Sequence, residues 1–311
     1  MDTITHGLAG MLIAETGFRQ RMGPVATGAL TVSALAPDVD GIVRYHDIAF
    51  YLEYHRGITH SFVGGGAVAL LLAAALYRFS ATKHYWRLAG LCYIGVVSHI
   101  LLDLLTSYGT MIFLPFSDRR ISWDTLFIID PFVSGIILGG IVLAYGWPSR
   151  SVRVGRSALA LLGVYILLAA AGHQIALVRL QGQVLRTGMS PIATAAFPMP
   201  FGPLRWSGVV ATEEATYQNV ISLLDGADPP FQVYPPPSRS PLIRRAEEHS
   251  VVTMFRRFAR FPVVSIREER DGPVVQYFDL QFNQIKGRQP FLLEVAFDQQ
   301  GKLQFAGFVR R

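Results

Sequence analysis

The 311 residues are 51% hydrophobic and only 16% charged, with a mean hydropathy of +0.34, which excludes an ordinary soluble protein. A formal charge of +6 and a pI near 9.6 would suit a nucleic-acid binder. The Lys and Arg residues, however, fall mainly in short loops between apolar runs and along the C-terminal part, a membrane-flanking pattern, so no nucleic-acid partner is expected.

The opening "MDTITHGLAG" lacks the basic n-region of a signal peptide, and the N-terminus is expected to be retained. Two short Gly- and Ala-rich segments, about 7–18 and 23–36, read either as short spans or as a re-entrant pair. Either arrangement returns Pro37 to the face that holds His6. Four longer runs, about 61–79, 88–108, 126–147 and 157–178, meet the roughly 20 apolar residues that a span requires. Cys92, the single cysteine, lies inside one of them, which rules out an intramolecular disulfide and a cysteine-cluster metal site.

Eight basic residues, Arg19, Arg21, Arg78, Lys83, Arg87, Arg150, Arg153 and Arg156, fall on one side of the predicted spans. Arg44, Arg56, Arg119 and Arg120 fall on the other, where some of them can serve a site instead of topology. The positive-inside rule makes the first side cytoplasmic and places His6, residues 37–61, residues 99–125 and everything after 178 outside, in the periplasm of a Gram-negative cell. Trp123 and Tyr108 suit an interfacial aromatic belt.

After residue 180 the pattern changes to short β-branched and aromatic stretches, "LRWSGVVAT", "ATYQNVISLL", "PVVSIREER", "VVQYFDLQF", "FLLEVAFD" and "LQFAGFVRR", separated by turns such as "LDGADPP" and "RDGP". "PLIRRAEEHSVVTMFRRFARF" suits one helix or two short ones. The expected architecture is an α-helical multi-span membrane domain over residues 1–180, followed by a small α+β soluble domain, mainly antiparallel β, over 181–311.

The outward ends of the spans collect ionisable groups that cost several kcal/mol in a membrane unless paired or metal-bound. His99 and Asp103, four apart on a predicted helix, project from one face, a spacing that suits shared metal ligation or a His–Asp hydrogen bond. Asp38 and Asp40 share a face if the chain is extended after Pro37, and two close carboxylates favour a divalent cation; an Asp-Gly turn uses the same residues. His55 and His60 come together if Gly57 breaks the segment, putting His55 in a loop and His60 in the first turn of the next helix, capped by Thr59 or Ser61. Arg56 reads as a clamp for a phosphate or carboxylate, or as a snorkelling arginine. Asp130 before Pro131 is either a catalytic carboxylate or a helix N-terminal residue. His46, His84, His173 and His249 lack such neighbours and read as surface or packing residues.

Histidines and carboxylates without cysteines suit zinc, with manganese as the alternative, bound as one ion or two. Such a centre clamps and hydrolyses an ester or phosphoester. HExxH, GxSxG and P-loop signatures are absent from the sequence.

In order and spacing, "THGLAG", "APDVDG", "HRGITHS", "SHILLDLLTSYG" and "IIDP" resemble the membrane-bound metal-dependent hydrolase family, the YdjM-like group described as LexA-regulated inner-membrane hydrolases. The resemblance covers about residues 1–180 and implies an inner-membrane, metal-dependent hydrolase. It matches here at His6, Asp38, Asp40, His55, His60, His99 and Asp103, the expected metal ligands, and "FPVV" and "YFDLQF" resemble the soluble tail of some members. A distant similarity to zinc phospholipase C and P1-type nucleases favours a phosphoester of a lipid or other membrane-proximal substrate. Arg56 would then hold the scissile group's charge, with Asp40 or Asp130 as general base. An ion or metal transporter and a non-catalytic assembly protein with a structural metal stay open as alternatives. No protein partner can be read from the sequence.

Overall fold

A computed structural model describes residues 1–309 except 46, 81–83, 226–228 and 286–288. His46, Lys83 and the middle of the "LDGADPP" turn lie outside the described residues. The chain forms two compact units, one of residues 1–42 and 54–171, the other of residues 43–53 and 172–311.

The first unit starts with α1 (Thr3–Ile13), whose N-terminus is capped by Asp2 accepting from the Thr5 amide at 3.0 Å. A π-helical turn (Ala14–Phe18) leads into the short α2 (Arg19–Met22). Gly23, at φ 73°, then reverses the chain into α3 (Pro24–Leu35). The pair is therefore a tight helical hairpin. Close approach explains its small residues: a Cβ on Gly10 would press on the Leu30 backbone, and one on Gly95 would lie 2.7 Å from the Leu30 carbonyl oxygen.

α5 (Phe62–Phe79), α6 (Tyr85–Leu104) and the run Pro148–Thr187, which contains α8 (Ser151–Thr187), are long and apolar enough to cross a membrane. The expected span at 126–147 is shorter. Asp130 and Pro131 start α7 (Pro131–Gly146) abruptly, which leaves 16 helical residues. Leu71 on α5 and Leu167 on α8 are 72% and 70% exposed, an outward apolar surface suited to lipid. Inside, Leu30, Leu88, Val96 and Ile100 form one core, and Leu12, Leu126, Val133 and Ile137 form a second.

In the second unit two four-stranded antiparallel meanders follow one another. The first comprises β1 (Ala193–Pro198), β2 (Arg205–Ala211), β3 (Thr216–Ser222) and β4 (Gln232–Tyr234). The second comprises β5 (Pro262–Glu269), β6 (Gly272–Asp279), β7 (Leu292–Phe297) and β8 (Leu303–Val309). Between them the arginine-rich stretch forms two helices, α9 (Pro241–Glu247) and α10 (Ser250–Phe258), and their Ile243, Val252 and Phe255 pack on Val275 and Leu293. This is the expected helical region with spans followed by an antiparallel α+β domain. α4 (Ile48–Tyr54) carries the chain between Asp40 and His55.

Candidate metal centre

Five short pieces of chain bring the site together. His6 sits one turn into α1, its position fixed by the Asp2 cap, and is fully buried. Its ring stacks on that of His99, with centroids 3.6 Å apart. Asp38 and Asp40 follow α3. The chain does not extend after Pro37 as expected but winds into a 3-10 helix over Ala36–Tyr45. Both carboxylates still reach His60, because their side chains approach it from two sides: Asp38 Oδ1 lies 3.7 Å from Nε2, and Asp40 Oδ2 lies 3.3 Å from Nδ1.

Gly57 breaks the backbone as the sequence implied. His60, however, ends a separate 3-10 turn (Ile58–His60) ahead of α5, and Ser61 caps α5 by accepting from the Gly64 amide at 2.9 Å. The Thr59 hydroxyl instead donates to Asp40 Oδ2 at 2.6 Å. On α6, His99 and Asp103 share a face as expected, 3.4 Å apart from Nε2 to Oδ2.

Proton bookkeeping reveals what this arrangement needs. His99 Nδ1 lies 2.7 Å from the Ala34 carbonyl oxygen, which can only accept, so the proton is on Nδ1 and Nε2 offers a lone pair. His60 Nδ1 faces Asp40 Oδ2 and the Thr59 oxygen, whose own proton goes to Asp40, so a neutral His60 also presents a bare Nε2. The two Nε2 atoms are 3.0 Å apart. Two lone pairs at that distance repel unless a proton or a cation lies between them. Asp103 Oδ2 lies 3.4 Å from each ring nitrogen, yet it has no hydrogen bond among the described residues, and neither does His6 Nδ1.

Ligand-type atoms of His6, Asp38 and His99 lie within 4.8 Å of one another, and so do those of His60, His99 and Asp103. Each triad can hold a divalent cation, with His99 common to both, and the donor set of imidazoles and carboxylates suits zinc or manganese. Three carboxylates surround the His60 ring. Burial works against a charge on His60, but the Asp103, Asp38 and Asp40 carboxylates around it outweigh burial and raise the imidazole to about 10. Burial likewise opposes ionisation of Asp38, yet the nearby His60 and His99 imidazoles hold the carboxyl below the usual range.

The other expected residues stand behind these five. Asp40 Oδ1 bonds His55 Nδ1 at 2.6 Å while Oδ2 supports His60, so this carboxylate orients two imidazoles and its oxygens face them. His55 meets the His60 ring edge-on at 5.4 Å. Arg56, expected to clamp an anionic substrate group, is instead 2% exposed and committed to Asp103: its Nη2 lies 2.7 Å from Oδ1, and its Nη1 donates to Thr106 Oγ1 at 2.8 Å. Asp103 Oδ1 also receives His6 at 3.2 Å and the N-terminal amine of Met1.

Tyr108, expected in an interfacial belt, is buried and lies under both Arg56 and Arg120, with ring centroids 4.9 and 5.6 Å from the guanidinium carbons. Trp123 is 48% exposed, as a belt residue would be. Arg120 does serve the site: its Nη1 donates to the His55 carbonyl oxygen at 3.2 Å. Thr3, which donates to Asp38 Oδ2 at 2.7 Å, escaped the sequence reading. Its only signal is its place one turn ahead of His6 in "MDTITHG".

Asp130 is a helix cap. Its Oδ1 accepts from the Phe132 and Val133 amides at 2.9 and 3.1 Å, and its Oδ2 accepts from Tyr165 at 2.8 Å. Asp130→Ala is therefore expected to cost about 1 kcal/mol of stability, the usual loss for an N-cap, while metal affinity stays at the wild-type value. Parallel thermal unfolding and metal titration check both.

His173 packs on Trp206, and His249 caps α10.

Membrane-length helices around a buried His–Asp cluster define a multi-span membrane protein with a buried polar centre. A family model for the YdjM inner membrane protein matches residues 1–176, and the chain belongs to that family. It is also similar to a Bacillus subtilis protein that carries the name uncharacterized protein YfhP, with 23% identity over 99% of this chain and 95% of the relative. No solved structure matches.

Proposed function

We propose that this inner-membrane protein is a metal-dependent hydrolase acting on a phosphoester of a lipid or another substrate held at the membrane surface. The observation that carries this reading is the pair of His60 and His99 Nε2 atoms 3.0 Å apart, both tautomers set from behind, with Asp103 Oδ2 and Asp38 beside them. A divalent cation bound there would polarise a phosphoryl oxygen and acidify a water. The chain's own part is to hold the ligands rigid. Ala34 and Asp40 fix the imidazoles, and Arg56 fixes Asp103. Asp38 completes the set of ligand atoms beside the two imidazoles. The positive-inside bias supports an outward-facing site and C-terminal domain.

The test is release of the headgroup from phospholipids in mixed micelles by the full chain, loaded with zinc or manganese. Turnover is expected to stop with a chelator, to return with added metal, and to be absent in His60→Ala and Asp38→Ala. Bound metal with no turnover on any phosphoester would replace this reading with that of a structural metal staple.

A further inference from the structure

The end of α1 away from His6 carries a second polar arrangement, and the hydrolase reading makes no use of it. A cavity of about 620 Å³ is lined there by Gln20, Ser151, Arg150, Arg153, Arg156 and Ser157, among others. None of its lining residues is a carboxylate. The nearby Glu15 is fully buried and paired with Arg19 at 2.7 Å, so its charge is already answered.

Three cations therefore face the cavity. Arg156 is steadied by donating from Nε to the Thr16 carbonyl oxygen at 3.1 Å, in the π-helical turn where a helix exposes carbonyls that have lost their regular partners. The side chains of Arg150 and Arg153 make no hydrogen bond or ion pair among the described residues. Ser151 is 3% exposed and accepts from Gln20 Nε2 at 2.9 Å, and its own hydroxyl proton has no acceptor among the described residues. A buried donor of that kind is a cost unless something at the cavity receives it.

We propose that this cavity binds the phosphate of an anionic phospholipid headgroup. Arginine forks match phosphate oxygens, and Ser151 supplies a further donor. Tyr145 and Trp147, 45% and 59% exposed at the adjoining end of α7, mark headgroup depth and favour a lipid over a dissolved phosphate. The site lies at the opposite end of α1 from the metal-type cluster, so it stands or falls independently of the proposed hydrolysis.

The test uses the full chain in nanodiscs of equal phosphatidylglycerol and phosphatidylcholine, with retained lipid measured by native mass spectrometry after extraction. Wild type is expected to keep phosphatidylglycerol in preference to phosphatidylcholine. Arg150→Gln/Arg153→Gln is expected to lose that preference by about tenfold or more, the scale of one charge-assisted hydrogen bond, with unchanged melting temperature. Arg78→Gln/Arg87→Gln, outside the cavity, is expected to keep it. Equal retention by wild type and the cavity variant would overturn the proposal. So would an equal loss from the Arg78/Arg87 variant, or displacement of the lipid by millimolar glycerol phosphate.

Discussion

Asp103→Ala in metal-free protein is expected to cost about 3–5 kcal/mol of stability, the loss seen when one member of a buried ion pair is removed. The reason is Arg56. Its guanidinium is buried, and Asp103 Oδ1 at 2.7 Å is its ionic partner, so the variant strands a cation away from water. The stacked His6 and His99 rings lose their shared carboxylate as well. Working with a chelator present separates this loss from any lost metal. Arg56→Met combined with Asp103→Ala is expected to be less destabilised than Asp103→Ala alone, because the stranded charge is gone. Chemical unfolding in detergent reads both. A change below about 0.5 kcal/mol, the scale of a neutral surface substitution, would mean that the pair does not form.

The second large effect separates ligands from the groups that orient them. His99 belongs to both triads of converging ligand atoms, so His99→Ala is expected to abolish stoichiometric metal binding. Asp40 turns its oxygens to His55, His60 and Thr59. Asp40→Asn is therefore expected to weaken affinity only by about 10–100-fold, as for other partners of metal-bound histidines. Competition against a chelating dye measures both variants. Equal losses would make Asp40 a ligand, and two unchanged affinities would move the site elsewhere.

Much of this centre is legible in the sequence because ionisable residues at membrane depth are costly and so stand out. The His99–Asp103 pair needs only helical spacing to be found, and Gly57 explains how His55 and His60 approach each other. Spacing alone does not say which lone pair faces inward. Asp40 and Asp38 look equivalent in "APDVDG", and only the positions of Thr59, His55 and Thr3 give one a supporting role and leave the other beside the Nε2 atoms. Arg56 looked available for a substrate because its partner lies 47 residues away on another helix. The run at 126–147 read as a full span because apolar composition is indifferent to the cap at Asp130 that starts α7 late.

In the C-terminal part, β2, β3 and β5 to β8 follow visible β-branched stretches. β1, "ATAAFP", is built mostly of small residues and becomes a strand through its pairing with β2 from Ala193↔Ala211 to Pro198↔Trp206.

The most direct measurement is the transition-metal content of the full chain, purified in detergent and analysed by elemental mass spectrometry beside His99→Ala, with folding verified for both. Roughly one or two equivalents of zinc or manganese, the occupancy of one-ion and two-ion hydrolytic centres, are expected in the wild type and none in the variant. Folded wild-type protein that holds no transition metal even after supplementation would contradict a metal centre at His6, Asp38, His60, His99 and Asp103.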